Sequence, residues 1–190
     1  MSRVSQHFIP DAISMVRMDH THVVAVFHRY RVDLPAHQKR GLVNLACVAL
    51  EVHASLEEEI FYPAVMAVLH DKTTEKSVPE HNEMRALIAK LRAMSAHDPA
   101  FDDTFMALMR DVLHHVADEE TDMLPNAERL LTPSHLKQLG VEMTKRRLQL
   151  AGPKIPGMAA DTAKAFPLTA IALVAVACMG FLTACGRSRA

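Results

Sequence analysis

Tryptophan is absent from this sequence of 190 residues, and glycine is scarce, with six residues. Long stretches therefore run without a turn signal, which favours an all-α protein. The three cysteines form no CxxC pair, so neither a disulfide framework nor a thiolate zinc site is indicated, and a reducing compartment fits best. Lysine plus arginine (21) nearly balances aspartate plus glutamate (22), so no overall electrostatic field would attract nucleic acid.

Several other common signals are missing from the sequence. Residues 1–10 lack the apolar core of a secretory signal, so export is not expected. There is no phosphate-binding loop and no nucleophile elbow, which removes support for nucleotide-dependent and acyl-transfer chemistry. The length of 190 residues suits one domain with a full hydrophobic core and an additional segment.

Apolar residues recur at spacings of three and four along five stretches, the pattern of helices that bury one face. Four of the stretches predict an antiparallel, up-down-up-down four-helix bundle, and the last predicts an extra C-terminal helix. The five predicted helices cover about residues 11–30, 36–61, 78–94, 101 to 125–131, and 133–150.

The composition changes after the predicted helices, which form a domain over residues 1–150. Residues 151–164 contain two glycines and two prolines and predict a linker. Residues 165–186 are an uncharged run whose length of about 33 Å as a helix exceeds the roughly 30 Å of a bilayer core. This run predicts a C-terminal transmembrane anchor, and five cations before it against two after it place the domain at the cytoplasmic face of the membrane. The alternative is a further buried helix.

An internal repeat includes two of the 12 histidines. HASLEEEIFYP at 53–63 matches HVADEETDMLP at 115–125 in His, Glu, Glu and Pro at offsets 0, 4, 5 and 10. Residues four apart lie on one helix face, so each segment presents an imidazole beside a carboxylate, a ligand set suited to iron, manganese or zinc. The paired residues are His53 with Glu57 and His115 with Glu119, whereas Glu58 and Glu120 at offset 5 are predicted to point away.

Two further histidines, His20 and His81, lie in the apolar stripes of the first and third predicted helices. A lone histidine there would ordinarily be a hydrogen-bonded core residue. Burying four of them with two glutamates would cost several kcal/mol for each unpaired charge, a cost that metal coordination removes. Four imidazoles and two carboxylates suit a dinuclear centre in a helical core. The predicted ligands are His20, His53, Glu57, His81, His115 and Glu119.

The order His, HxxxE, His, HxxxE on successive helices resembles the hemerythrin HHE cation-binding family over about residues 10–130. The phrases EEEIFYP and EHNEMRALIAKL are also similar to that family's second and third helices. The resemblance implies that the six ligands hold two non-haem iron ions (Fe²⁺/Fe³⁺) bridged by the two carboxylates. The sequence departs from the oxygen-carrying members at Arg85, where they place a second histidine, and this departure implies an additional open coordination position.

These observations predict a protein that binds or processes oxygen, peroxide or nitric oxide, and the resemblance adds repair of iron-sulfur centres. The expected partner is a small diatomic or peroxide ligand, with no nucleic acid, and both catalysis and reversible binding stay open. The alternative is a membrane-tethered structural or interaction protein whose histidines are vestigial or hold zinc, since tetrahedral zinc needs only four ligands. An acid/base enzyme without metal ranks third, because the histidines would then lack a role.

Overall fold

The computed structural model describes residues 9–68 and 73–166, and the regular structure within those ranges is entirely helical. The prediction of an all-α protein is therefore confirmed, while the up-down-up-down order of a four-helix bundle stays a prediction. The helices are α1 (Ala12–Arg29), α2 (Ala36–Leu56), α3 (Tyr62–Met66), α4 (Thr73–Ala93), α5 (Phe101–Asp118), α6 (Leu124–Leu130), α7 (Pro133–Ala151) and α8 (Ile155–Ala165).

The long helices pack in pairs, α1 against α2 and α4 against α5, and further contacts join α2 to α4 and α1 to α5. α4 begins at Thr73, whereas the apolar pattern predicts a start near Val78. The two residues directly before Val78 have defined environments in the fold. Lys76 forms an ion pair with Asp118 of α5, and Ser77 is buried.

Two π-helical turns, Glu57–Phe61 and Glu119–Met123, join α2 to α3 and α5 to α6. A proline follows each turn, at Pro63 and Pro125. Proline has no N–H to donate, and its ring crowds the carbonyl group four residues earlier, so the wider turn lets the chain continue as a helix. The closing hydrogen bonds run from the Tyr62 N–H to the Glu57 carbonyl and from the Leu124 N–H to the Glu119 carbonyl.

A layer of buried polar side chains separates two apolar clusters of the core. Along α5 and the turn after it, His115 and Glu119 lie between Val112 of one cluster and Met123 of the other. α1 shows the same order, with His20 between its two apolar segments. The two clusters therefore hold the helices on both sides of the polar layer.

The segment predicted to be a linker, residues 151–164, is helical in the structure. A 3₁₀ turn (Gly152–Lys154) follows α7 and leads into α8, which packs along α2. Pro153 and Pro156 lie in the first turn of these two elements, where the missing N–H would have no helical partner in any case. The prolines therefore start helices in this segment, where the composition indicated irregular chain. The division into a domain, a linker and an anchor stays a prediction.

The predicted membrane anchor, residues 165–186, lies almost wholly outside the described residues. Ala165 is the last residue of α8 and Phe166 follows it, whereas residues 167–186 are not described. Among the helices of residues 9–68 and 73–166, none combines the length and the apolar character needed to cross a membrane. The anchor and the membrane-face location stay predictions.

Gly41 of α2 permits the close packing of α8. A β-carbon at Gly41 would lie 2.7 Å from the carbonyl oxygen of Asp161 and 2.9 Å from the amide nitrogen of Ala165. Gly41→Ala is therefore expected to destabilise the protein by about 1–3 kcal/mol through overpacking. This loss outweighs the gain of up to about 1 kcal/mol that alanine brings to a helix interior relative to glycine.

Thermal unfolding of Gly41→Ala beside Gly152→Ala measures this effect. A β-carbon at Gly152 would meet no described atom within 4 Å, so its replacement by alanine should leave the melting temperature unchanged or raise it. A Gly41→Ala protein more stable than the wild type would show that α8 does not constrain α2.

Candidate metal centre

The six side chains predicted as ligands converge in the polar layer between the two apolar clusters. Each is almost fully buried, with at most 6% of its surface exposed. Within the described residues, their donor atoms form two groups in which all atoms lie within 4.8 Å of one another, and Glu57 belongs to both. The first group is His20, His53, Glu57 and Glu119, and the second is Glu57, His81 and His115.

All four histidines turn Nε2 toward a glutamate of the layer. The two repeat histidines reach the glutamate one turn later on their own helix, and the other two approach from α1 and α4. The distances from Nε2 to Oε2 are 3.2 Å for His20 and Glu119, 3.2 Å for His53 and Glu57, 3.5 Å for His81 and Glu57, and 3.7 Å for His115 and Glu119.

Several of these inward-facing atoms are buried without a hydrogen-bond partner among the described residues. Leaving a polar atom unpaired in the interior costs about 1–3 kcal/mol, and more when the group is charged. Imidazole nitrogens and carboxylate oxygens together form a ligand set for iron, manganese or zinc. The residues therefore fit bound cations. The unpaired ligand atoms are His20 Nε2, His53 Nε2, Glu57 Oε1 and Glu119 Oε2.

Each histidine also faces a carboxylate with Nδ1, the ring nitrogen turned away from the centre. A carboxylate that is hydrogen-bonded to Nδ1, as at His20, His81 and His115, fixes the tautomer and the ring orientation, so that Nε2 can present its lone pair to a cation. His53 Nδ1 has no hydrogen-bond partner among the described residues, and its contact with Asp19 is at ion-pair distance. The Nδ1 to carboxylate distances are 2.8 Å for His20 and Glu120, 3.4 Å for His53 and Asp19, 2.8 Å for His81 and Glu58, and 2.7 Å for His115 and Glu80.

The pairing between these outer carboxylates and the histidines has a regular pattern that was not predicted from the sequence. The glutamate at offset 5 of each repeat points away from its own histidine, but it meets a histidine of another helix. In turn, the acidic residue directly before each non-repeat histidine faces the histidine of a repeat. The sequence carries this signal as an acid before each non-repeat histidine and a second glutamate after each ligand glutamate, at Asp19, Glu80, Glu58 and Glu120.

Tyr62 is a further side chain of the centre that was not predicted as part of it. Its hydroxyl lies 2.7 Å from Glu119 Oε1 and 3.0 Å from Glu57 Oε2, and its ring stacks on His81. Only 2% of the residue is exposed. Its single O–H can therefore donate a hydrogen bond to one of the two carboxylates at a time. Burial and the two carboxylates raise the pKa of Tyr62, so the hydroxyl keeps its proton.

Burial and neighbouring carboxylates shift the pKa values of the buried histidines and glutamates of this centre, in some cases in opposite directions. Burial lowers the pKa of His20, but the Glu119 and Glu57 carboxylates outweigh it and raise the pKa to about 9. Burial, and then the Glu119 carboxylate, raise the pKa of Glu57 to about 7. Burial lowers the pKa of His81 despite its hydrogen bond to Glu58. Cation binding must therefore release protons from the ligands.

A cavity of about 320 Å³ adjoins the four histidines. Apolar side chains form most of its wall, and it extends to Arg147 and Ala151 of α7. Such a cavity has room for a small ligand beside the imidazoles, while its apolar wall disfavours bulk water. The apolar wall includes Val23, Met84, Ile88 and Val112, which belong to one of the two apolar clusters of the core.

Comparison with curated proteins gives distant relatives. A DNA nickase from Nostoc sp. (strain PCC 7120 / SAG 25.82 / UTEX 2576) is 27% identical over 128 residues, which is 67% of this chain and 36% of the nickase. An uncharacterized protein of Mycobacterium tuberculosis is 28% identical over 117 residues, 60% of this chain and 71% of that protein. The chain thus spans about a third of the nickase's length.

Two comparisons address the family and the fold. The family model described as the hemerythrin HHE cation binding domain matches residues 11–127, which contain all six predicted ligands. A crystal structure of a hemerythrin HHE cation binding domain-containing protein from Mycobacterium kansasii aligns with a TM-score of 0.66 at 21% identity, over 82% of this chain and 99% of that one. Sequence and fold agree, and the chain belongs to the hemerythrin HHE cation-binding domain family.

Proposed function

We propose that this protein holds two non-haem iron ions at the centre and binds or processes oxygen, peroxide or nitric oxide there. The observation that carries the proposal is the pair of buried ligand groups that share Glu57. The first group has four inward-facing atoms without a hydrogen-bond partner among the described residues, and one of these, Oε1, is on Glu57, which also belongs to the second group, where His81 Nε2 and His115 Nε2 lie 3.0 Å apart. Metal binding is expected because the chain belongs to a cation-binding family. The identity of the metal as iron, the number of ions and the small ligand are what we propose in addition. We also propose that the four ligand-bearing helices form the predicted antiparallel bundle.

Iron in these two positions would supply reversible electron transfer and a coordination position for a small ligand. The protein side chains would prepare that position. The outer carboxylates hold the imidazoles of His20, His81 and His115 with Nε2 turned inward, and the apolar cavity admits small uncharged molecules in preference to water. Tyr62 adds an O–H hydrogen-bond donor within 3.0 Å of an oxygen of each carboxylate.

The second ligand group is the smaller of the two. It contains three residues, Glu57, His81 and His115, against four in the first group. Arg85, where the oxygen-carrying members of the family have a histidine, contacts Glu58 and does not enter the group. The second position therefore has the fewer protein ligands, and we propose it as the position that takes the oxygen, peroxide or nitric oxide.

Elemental analysis and optical spectroscopy of the purified full chain test the proposal. We expect about two irons per chain and an absorption band from ligand-to-metal charge transfer that shifts when azide is added. A fully folded chain that takes up no iron would overturn the proposal. A chain that holds one zinc ion and no iron would favour the structural alternative, since the first group alone supplies the four ligands of a tetrahedral site.

A further inference from the structure

Three arginines lie directly outside the carboxylates that face the site histidines. Each contacts a different one of these carboxylates, and each comes from a different helix. The pairs are Arg17 with Glu120 at 3.2 Å, Arg85 with Glu58 at 2.8 Å, and Arg147 with Asp19 at 2.7 and 2.6 Å.

The three carboxylates are the ones that face His20, His81 and His53 through Nδ1. A carboxylate orients an imidazole only if its own position is fixed, and the planar guanidinium group offers a rigid set of donors that fits a carboxylate. Arg147 uses this geometry fully, because two of its nitrogens contact the two oxygens of Asp19.

We propose that Arg17, Arg85 and Arg147 are positioning residues for the metal centre, each holding the carboxylate that orients one ligand histidine. The inference rests on the proposed function, because it assumes that the histidines bind cations. It also makes α7 a part of the site, since Arg147 lies outside residues 11–127, the range matched by the family model.

The competing explanation is that the three arginines form ordinary surface ion pairs that do not affect the metal centre. The three side chains are 40%, 36% and 33% exposed, and exposed ion pairs contribute about 0–1 kcal/mol to stability. The chain offers two matched arginines that form ion pairs of this kind on the same helices. Arg92 of α4 pairs with Glu51, and Arg146 of α7 pairs with Glu59.

Neither Glu51 nor Glu59 forms a described ion pair with a site histidine, so Arg92 and Arg146 separate the two explanations. Co²⁺ is the probe, because its visible spectrum reports coordination without a redox step. Its affinity for the full, metal-free chain is measured by competition with a chelator. Arg17→Met, Arg85→Met and Arg147→Met are each expected to weaken Co²⁺ binding about tenfold and to shift the Co²⁺ bands, as changes to the partners of ligand histidines do.

The control variants Arg92→Met and Arg146→Met should bind Co²⁺ within about twofold of the wild type. Arg147→Lys should recover part of the loss, since lysine keeps the charge but donates from a single point. In an Asp19→Asn background, Arg147→Met should add less than about twofold, because both changes act through the same carboxylate. Circular dichroism identifies any variant that fails to fold. If one of Arg17→Met, Arg85→Met and Arg147→Met does not fold, the others still test the proposal.

Equal Co²⁺ affinity and spectra in Arg17→Met, Arg85→Met, Arg147→Met and the wild type would overturn the arginine proposal alone. Equal losses in the site and control variants would also overturn it, because general packing of α4 and α7 would then explain them. A folded wild-type chain that binds no Co²⁺ would overturn both this inference and the proposed metal function.

Discussion

Replacing Glu57 by glutamine is expected to prevent the full chain from holding either of the two proposed cations. Glu57 is fully buried and belongs to both ligand groups, so solvent cannot compensate for the lost charge at either position. Removing one partner from a buried set of charges costs about 3–5 kcal/mol, which corresponds to a loss of affinity of about a hundredfold or more. Elemental analysis and Fe²⁺ titration of the full chain measure the change.

Glu59→Gln is the matched control for this substitution. Glu59 lies in the same π turn two residues later, but its side chain is 43% exposed and pairs with Arg146. Its replacement should leave the metal content unchanged. A Glu57→Gln chain that holds as much metal as the wild type would show that Glu57 does not join the two groups.

Removing the cations with a chelator is expected to lower the melting temperature by about 10–20 °C. A site kept at a metal concentration a hundredfold above its dissociation constant stabilises the folded state by about 2.7 kcal/mol. For a chain of this size, each kcal/mol shifts the melting temperature by about 2–4 °C. Two occupied sites together give the expected range, which calorimetry of chelated and reloaded protein measures.

The Glu57→Gln chain serves again as the comparison for this experiment. With added metal it should melt near the temperature of the chelated wild type, because it lacks the shared ligand. Identical melting curves for chelated and reloaded wild type would show that the buried polar layer is stable without cations.

The burial and convergence of the six proposed ligands could be predicted from the sequence because these residues obey the periodicity of single helices. Offset 4 in the repeats and the apolar stripes around His20 and His81 place each side chain on the inner face of its own helix. All six lie in the polar layer. The all-α fold follows in the same way, from local spacing alone.

The outer carboxylates could not be assigned in this way, because they depend on which helices are neighbours. Glu58 lies on the wrong face of its own helix to join His53, yet it lies 2.8 Å from His81 of α4. The position of α4 next to the π turn is set by tertiary packing, which the periodicity of a single helix does not reveal.

Tyr62 was missed for a different reason, a local change in helical geometry. Tyr62 lies five positions after Glu57, and in a regular α-helix this spacing puts two side chains on different faces. The π turn inserts an extra residue into one turn and brings the Tyr62 hydroxyl to within 3.0 Å of the Glu57 carboxylate. Pro63 was the available signal, because it marks where the regular helix cannot continue.

Two of the outer carboxylates face a histidine from the other half of the chain, so each half of the site depends on the other half. His20 in the first half faces Glu120 in the second, and His81 in the second half faces Glu58 in the first. A fragment ending after α3 would leave the ring of His20 without its acceptor unless a second copy supplied the equivalent glutamate. Two identical fragments about a two-fold axis would complete one another, so duplication and fusion of an ancestral homodimer subunit would account for the repeat.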